Sequence, residues 1–93
     1  MIRDVEFTGT AVLDDIPVRR GIEIVAKIDS RPIGSAEVKN GRYTLIIRKD
    51  QVELFVGQEI NFKIGHFEAV ETVILEFDGG RELNLTGTIY FTP

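Results

Sequence analysis

Residues 34–47 read GSAEVKNGRYTLII, two strand-compatible runs on either side of Asn40-Gly41. Asn-Gly is the dipeptide that best tolerates the positive φ angles of a two-residue type I′ turn. Beyond it, Tyr43, Leu45 and Ile47 share one parity, and Arg42, Thr44 and Ile46 share the other. That is the period of a strand with one face on a core. The stretch predicts a β-hairpin, and the same alternation recurs along most of the chain.

Residues 4–13 form the first expected strand, with Val5, Phe7, Gly9, Ala11 and Leu13 on one parity. A glycine inside a strand marks a bulge or a close backbone approach. Asp14-Asp15-Ile16-Pro17 reads as a turn, because aspartate side chains bond the local backbone and Pro17 offers no ladder donor. Next comes a strand with Ile22, Ile24, Ala26 and Ile28 inward and Val25 on the outer parity. Ser30-Arg31-Pro32 then turns the chain into the 34–47 stretch.

Residues 52–57 suit a short strand or a single helical turn equally well, and no other segment suggests a helix. Residues 59–64 alternate with Ile60, Phe62 and Ile64 inward, and Gly65-His66 is a tight turn. Residues 67–77 carry apolar side chains on both parities, so that strand is either deeply buried or changes face at a bulge. Asp78-Gly79-Gly80 predicts a hairpin loop. A last strand over residues 81–92 follows, with Leu83, Leu85, Ile89 and Phe91 inward. About seven strands separated by turn signals argue an all-β, two-sheet antiparallel sandwich, with a closed barrel as the alternative.

Ninety-three residues predict one domain, 1–93, and 43% hydrophobic content is enough for a single core. With no cysteine, that core has neither disulfides nor zinc–thiolate staples to help it. The net charge of −4, with both signs interspersed, disfavours nucleic acid, since no basic stripe is present to neutralise phosphates. No apolar run approaches the roughly 20 residues that span a bilayer, so membrane insertion by this segment is not expected. Met1-Ile2-Arg3-Asp4 lacks the apolar core of a signal peptide. One internal echo links residues 7–12, FTGTAV, with residues 85–90, LTGTIY. Both are β-rich, and the echo would fit terminal strands holding similar places in a sandwich.

Gly9-Thr10-Ala11-Val12, Pro17 and the GIEIVA run from Gly21 come first in a recognisable order of motifs. Ile33-Gly34-Ser35, the NGRYTL run from Asn40, the VGQEINFKI run from Val56 and Leu83-Asn84-Leu85-Thr86 follow. The series resembles Ig-like sandwich modules of archaeal and bacterial cell-surface proteins. It also resembles, more distantly, carboxypeptidase-regulatory-like or transthyretin-like (prealbumin-like) sandwiches. The resemblance implies an accessory module without catalytic residues or cofactors, often repeated along an extracellular or cell-surface chain. In that surface group the segment between the two most specific strands is often longer and more acidic than Asp50-Gln51-Val52-Glu53 is here.

The side chains that could carry chemistry are sparse. His66 is the single histidine, and neither Ser30 nor Ser35 sits in a nucleophile-elbow context. The chain is therefore not expected to be an enzyme. Carboxylates are scattered, whereas glycoside hydrolysis needs two held about 5–10 Å apart across a cleft. Calcium would need Asp14-Asp15 and Asp78-Gly79-Gly80 to meet at one end of the fold. Candidate interaction residues are Val25 and Ile46, an apolar patch if their strands are neighbours, and Tyr90, opposite Ile89 and Phe91 in parity. Tyr90 is also the one ring available to a carbohydrate-binding module, the alternative reading. Asn84-Leu85-Thr86 is a glycosylation sequon, making Asn84 a candidate acceptor. The expected role is a structural spacer or protein-interaction unit of a larger surface or secreted protein, packing on neighbouring domains or on itself.

Overall fold

A computed structural model describes residues 2–89. Tyr90 and Phe91 therefore lie outside the described residues. Nine strands and one helix follow in the order β1 (Val5–Leu13), β2 (Ile16–Pro17), β3 (Glu23–Ile28), β4 (Arg31–Glu37) and β5 (Arg42–Ile47). Then come α1 (Lys49–Phe55), β6 (Glu59–Ile64), β7 (Phe67–Ile74), β8 (Arg81–Glu82) and β9 (Leu85–Gly87). No helix among the described residues is long and apolar enough to cross a membrane.

The strands form one mixed, curled sheet with the path β2-β1-β9-β7-β6-β3-β4, while β5 and β8 also pair with β1. Along its first half β1 lies between β5 and β8; along its second half it lies between β2 and β9. The pairings of β1 with β8 and β9 are parallel, which corrects the purely antiparallel expectation. Curling brings Phe7 of β1 onto Phe62 of β6 edge to face, with ring centroids 5.8 Å apart and planes at 80°. Around that pair Ile24, Leu45, Ile47, Ile60 and Leu85 are fully buried. Each such side chain contributes about 1.5–3 kcal/mol relative to exposure. The inward parities expected for β1, β3, β5 and β6 are the buried ones.

Three two-residue turns place both central residues at positive φ: Asp14-Asp15, Asp29-Ser30 and Asn40-Gly41. The first joins β1 to β2 with Leu13 opposite Ile16, and the second joins β3 to β4 with Ile28 opposite Arg31. Both are hairpins. The third is a turn of the expected type, but the hairpin predicted over 34–47 does not form. A single bridge, Lys39 to Arg42, follows the turn before the strands part. β4 then runs with β3 over seven residues, and β5 runs with β1 over six. Pairing β5 with β1 sets Tyr43, Leu45 and Ile47 across the core from β6, which buries them completely. Asp78-Gly79-Gly80 is likewise a crossover rather than a hairpin loop, since the following β8 pairs with β1 and not with β7.

Residues 49–55 are helical, which settles the choice left open around Val52. Only Val52 on α1 is buried, and its N-cap Arg48 supplies no side-chain bond. The acceptor comes instead from the residue just before β1, whose Val5 pairs with Ile47: Asp4 Oδ1 accepts the Lys49 N–H at 2.8 Å. The Arg31 guanidinium lies 5.8 Å over the Phe55 ring. In β7, two extra residues sit opposite Phe62, between the Asn61–Thr72 and Lys63–Glu68 pairs. Two extra residues leave the parity unchanged, so β7 neither changes face nor is buried on both sides. The odd positions up to Val73 face inward, while Val70 and Ile74 on the other parity are exposed. The strand stops at Ile74, short of the expected 77, and Phe77 is exposed.

Candidate functional site

The best-built feature among the described residues is the contact between the two terminal strands. Phe7 and Thr8 of β1 pair with Arg81 and Glu82, and Ala11, Val12 and Leu13 pair with Leu85, Thr86 and Gly87. One register, an offset of 74 residues, holds throughout, so β8 and β9 are two parts of a single strand. At the break between them the Leu83 N–H donates to the Thr8 carbonyl at 2.6 Å. The Asn84 side chain then fills the missing rung, its Oδ1 accepting the Thr10 N–H at 3.0 Å.

Gly9 makes this possible. A Cβ there would collide with the Leu83 carbonyl and lie 2.9 Å from Asn84 Oδ1. The close backbone approach that Gly9 signals in the sequence is therefore to the last strand. Tyr43, opposite Gly9 on β5, reaches past β1 and donates its hydroxyl to the Leu83 carbonyl. One side chain thus ties three neighbouring strands together. Its phenol pKa is raised well above the ordinary value, first by burial and second by the nearby Glu71 carboxylate. Glu71 in turn accepts the Thr86 N–H at 2.7 Å and the Thr86 Oγ1–H at 2.6 Å. β7 and β9 share only the Ala69–Gly87 pair, so this carboxylate supplies rungs that the β7 backbone does not.

Three further carboxylates are engaged in separate structural bonds. Asp14 Oδ1 accepts the Ile89 N–H at 3.3 Å, and Glu68 and Glu82 pair with Lys27 and Arg42, each at 3.3 Å. Those two exposed ion pairs are worth about 0–1 kcal/mol each. The condition set for calcium is not met. Asp14-Asp15 follows Leu13 at one end of β1, while Gly80 packs on the Glu6 backbone near the other end.

The remaining candidates are not gathered in one place. Val25 lies on β3 opposite Ser35 and Lys63, partly buried, whereas Ile46 lies exposed on β5 opposite Glu6. β3 and β5 are not paired, so these two residues do not form the patch that neighbouring strands would give. Asn84 is exposed, with the carboxamide oxygen of the sequon already engaged on Thr10. His66 is exposed in the β6–β7 turn, where positive φ at Gly65 alone fits a type II′ turn. Sequence reasoning missed the roles of Asn84 and Glu71. The available signal was Gly9 together with an outward Asn on the opposite terminal strand. Residues 7–12 lie on β1 and residues 85–87 of the second echoed segment on the adjacent parallel β9, but out of step, with Ala11 rather than Phe7 opposite Leu85.

No family model, no curated protein and no solved structure matches this chain.

Proposed function

We propose that this chain is a non-catalytic, Ig-like β-sandwich module of a larger surface or secreted protein, acting as a structural spacer between neighbouring domains. One observation carries the reading: the first and last strands are parallel. The chain therefore enters the sheet beside Asp4 at one end of β1. It leaves beside Asp14, where the Ile89 amide is held, at the other. At about 3.3 Å per residue, nine-residue β1 separates these points by nearly 30 Å. A domain that brought its ends together would fold neighbours back on each other; this one sets them in line.

Both ends also expose apolar side chains for a neighbour to cover. Ile16, beside Pro17 and Ile89, is 67% exposed at the exit, and Leu54 on α1 is 67% exposed at the entry. The surface or secreted setting rests on the sequence resemblance. Small-angle scattering from a tandem of two copies tests the geometry. A rod close to twice the single module's length is expected, and a compact side-by-side pair would overturn the spacer reading.

A further inference from the structure

We propose that the terminal strands form a force clamp, so that the module resists extension when it is pulled through its two ends. The inference rests on the spacer reading and adds what kind of spacer this is. Tension on the two ends draws β1 toward the entry and β9 toward the exit. Because the strands are parallel, this slides them past each other, and the bonds that cross between them are loaded together. Had the last strand been antiparallel to the first, both ends would emerge on one side. The same pull would then peel the rungs off one at a time.

The details suit this loading. The register is unbroken from Phe7 to Leu13, and the gap between β8 and β9 is closed by the Leu83–Thr8 and Asn84–Thr10 hydrogen bonds. Behind β1, six residue pairs with β5 oppose its sliding. Behind β9, Glu71 holds Thr86 by two hydrogen bonds. Tyr43 crosses β1 to reach Leu83 and couples the two sides. The last bond before the exit, Asp14 to the Ile89 amide, is long at 3.3 Å and sits outside the ladder, so it yields first without opening the clamp.

The native chain has no cysteine, so pulling handles can be placed at will. Single-molecule pulling on Arg3→Cys/Thr88→Cys loads the ladder in shear. Pulling on Ile16→Cys/Thr88→Cys opens the same ladder from its exit end. The shear pair is expected to unfold at clearly higher force, although denaturant gives the two proteins similar stability. Asn84→Ala should speed unfolding under shear about five-fold, the loss of one hydrogen bond. It should leave the peeling force nearly unchanged, while Asn84→Asp, which keeps the acceptor oxygen, restores resistance. Equal forces in the two directions, or an Asn84→Ala protein unchanged in shear, would overturn the clamp. An extended tandem with no directional difference would leave the spacer reading standing and remove only the clamp.

Discussion

The turns at Asp29-Ser30 and Asn40-Gly41 place their central residues at nearly the same angles, φ of 49° and 68° against 53° and 74°. The first carries a hairpin seven residues long in β4, and the second carries one bridge and then a parting of strands. Local backbone chemistry is therefore equal in the two, and the difference is set by what lies beyond. After Asp29-Ser30, β4 finds the free edge of β3. After Asn40-Gly41, the apolar residues of β5 bury more completely beside β1, and β4 meets β5 by packing rather than by a ladder. At that seam Gly34 lies against the Ile46 carbonyl and the Leu45 side chain. A turn signal reports a reversal of direction, while partner choice belongs to the core.

If the seam is held by packing, filling it should cost more than disturbing either turn. A Cβ at Gly34 would lie 3.0 Å from the Ile46 oxygen and 3.2 Å from Leu45 Cδ2. Gly34→Val should destabilise by about 2 kcal/mol in denaturant unfolding, as overpacking does. Ser35→Val, one residue on and exposed, should change stability by under about 0.5 kcal/mol. Equal effects at the two positions would mean that β4 and β5 are not in close contact.

Tyr43 is the first inward residue after the Asn40-Gly41 turn, and Tyr43→Phe removes its bond to Leu83 at a cost of about 1 kcal/mol. Its raised pKa adds a pH signature. Below pH of about 10 the phenol is protonated in both states. Above that, the unfolded tyrosine ionises while the folded one keeps its proton, so stability falls as pH rises. The slope is at most about 1.4 kcal/mol per pH unit. Unfolding curves measured through the alkaline range should show this limb in the native protein and a shallower one in Tyr43→Phe.

The turns themselves should respond alike. Gly41→Ala meets nothing closer than Pro17 Cβ at 3.6 Å, so its cost is conformational, about 1 kcal/mol. Ser30→Gly relieves a non-glycine residue at φ of 68° and should gain about 0.5 kcal/mol, read as a small rise in Tm. A Gly41→Ala loss far above that size would show the turn to be supporting a longer ladder than the single bridge.

Which residues face inward was legible because alternation is a local property: Ile24, Leu45, Phe62 and Leu85 announce their own burial. β7 was less legible: apolar residues on both parities suggested a buried strand or a change of face, whereas Val70 and Ile74 lie exposed on a single outer parity. Pairing was not legible. Asn40-Gly41 and Asp78-Gly79-Gly80 both promised hairpins, yet the strands that follow them join β1, with paired residues 32 or more positions apart in the chain. Choices of that kind depend on loop closure and on the shape of the whole core, and no window of residues contains them. Asn84 shows the limit within the site. Its outward parity suggested a surface acceptor, and only the break between β8 and β9 reveals the rung it replaces.

The Asp4 cap on α1 carries a consequence for the order of assembly. A seven-residue helix is too short to persist alone, and this one borrows its N-terminal acceptor from 45 residues away. The helix therefore cannot seed the fold; it crystallises out once β1 has settled beside β5. In hydrogen exchange its amides should open before those of β1, and Asp4→Ala should hasten that opening while leaving the strands' protection in place.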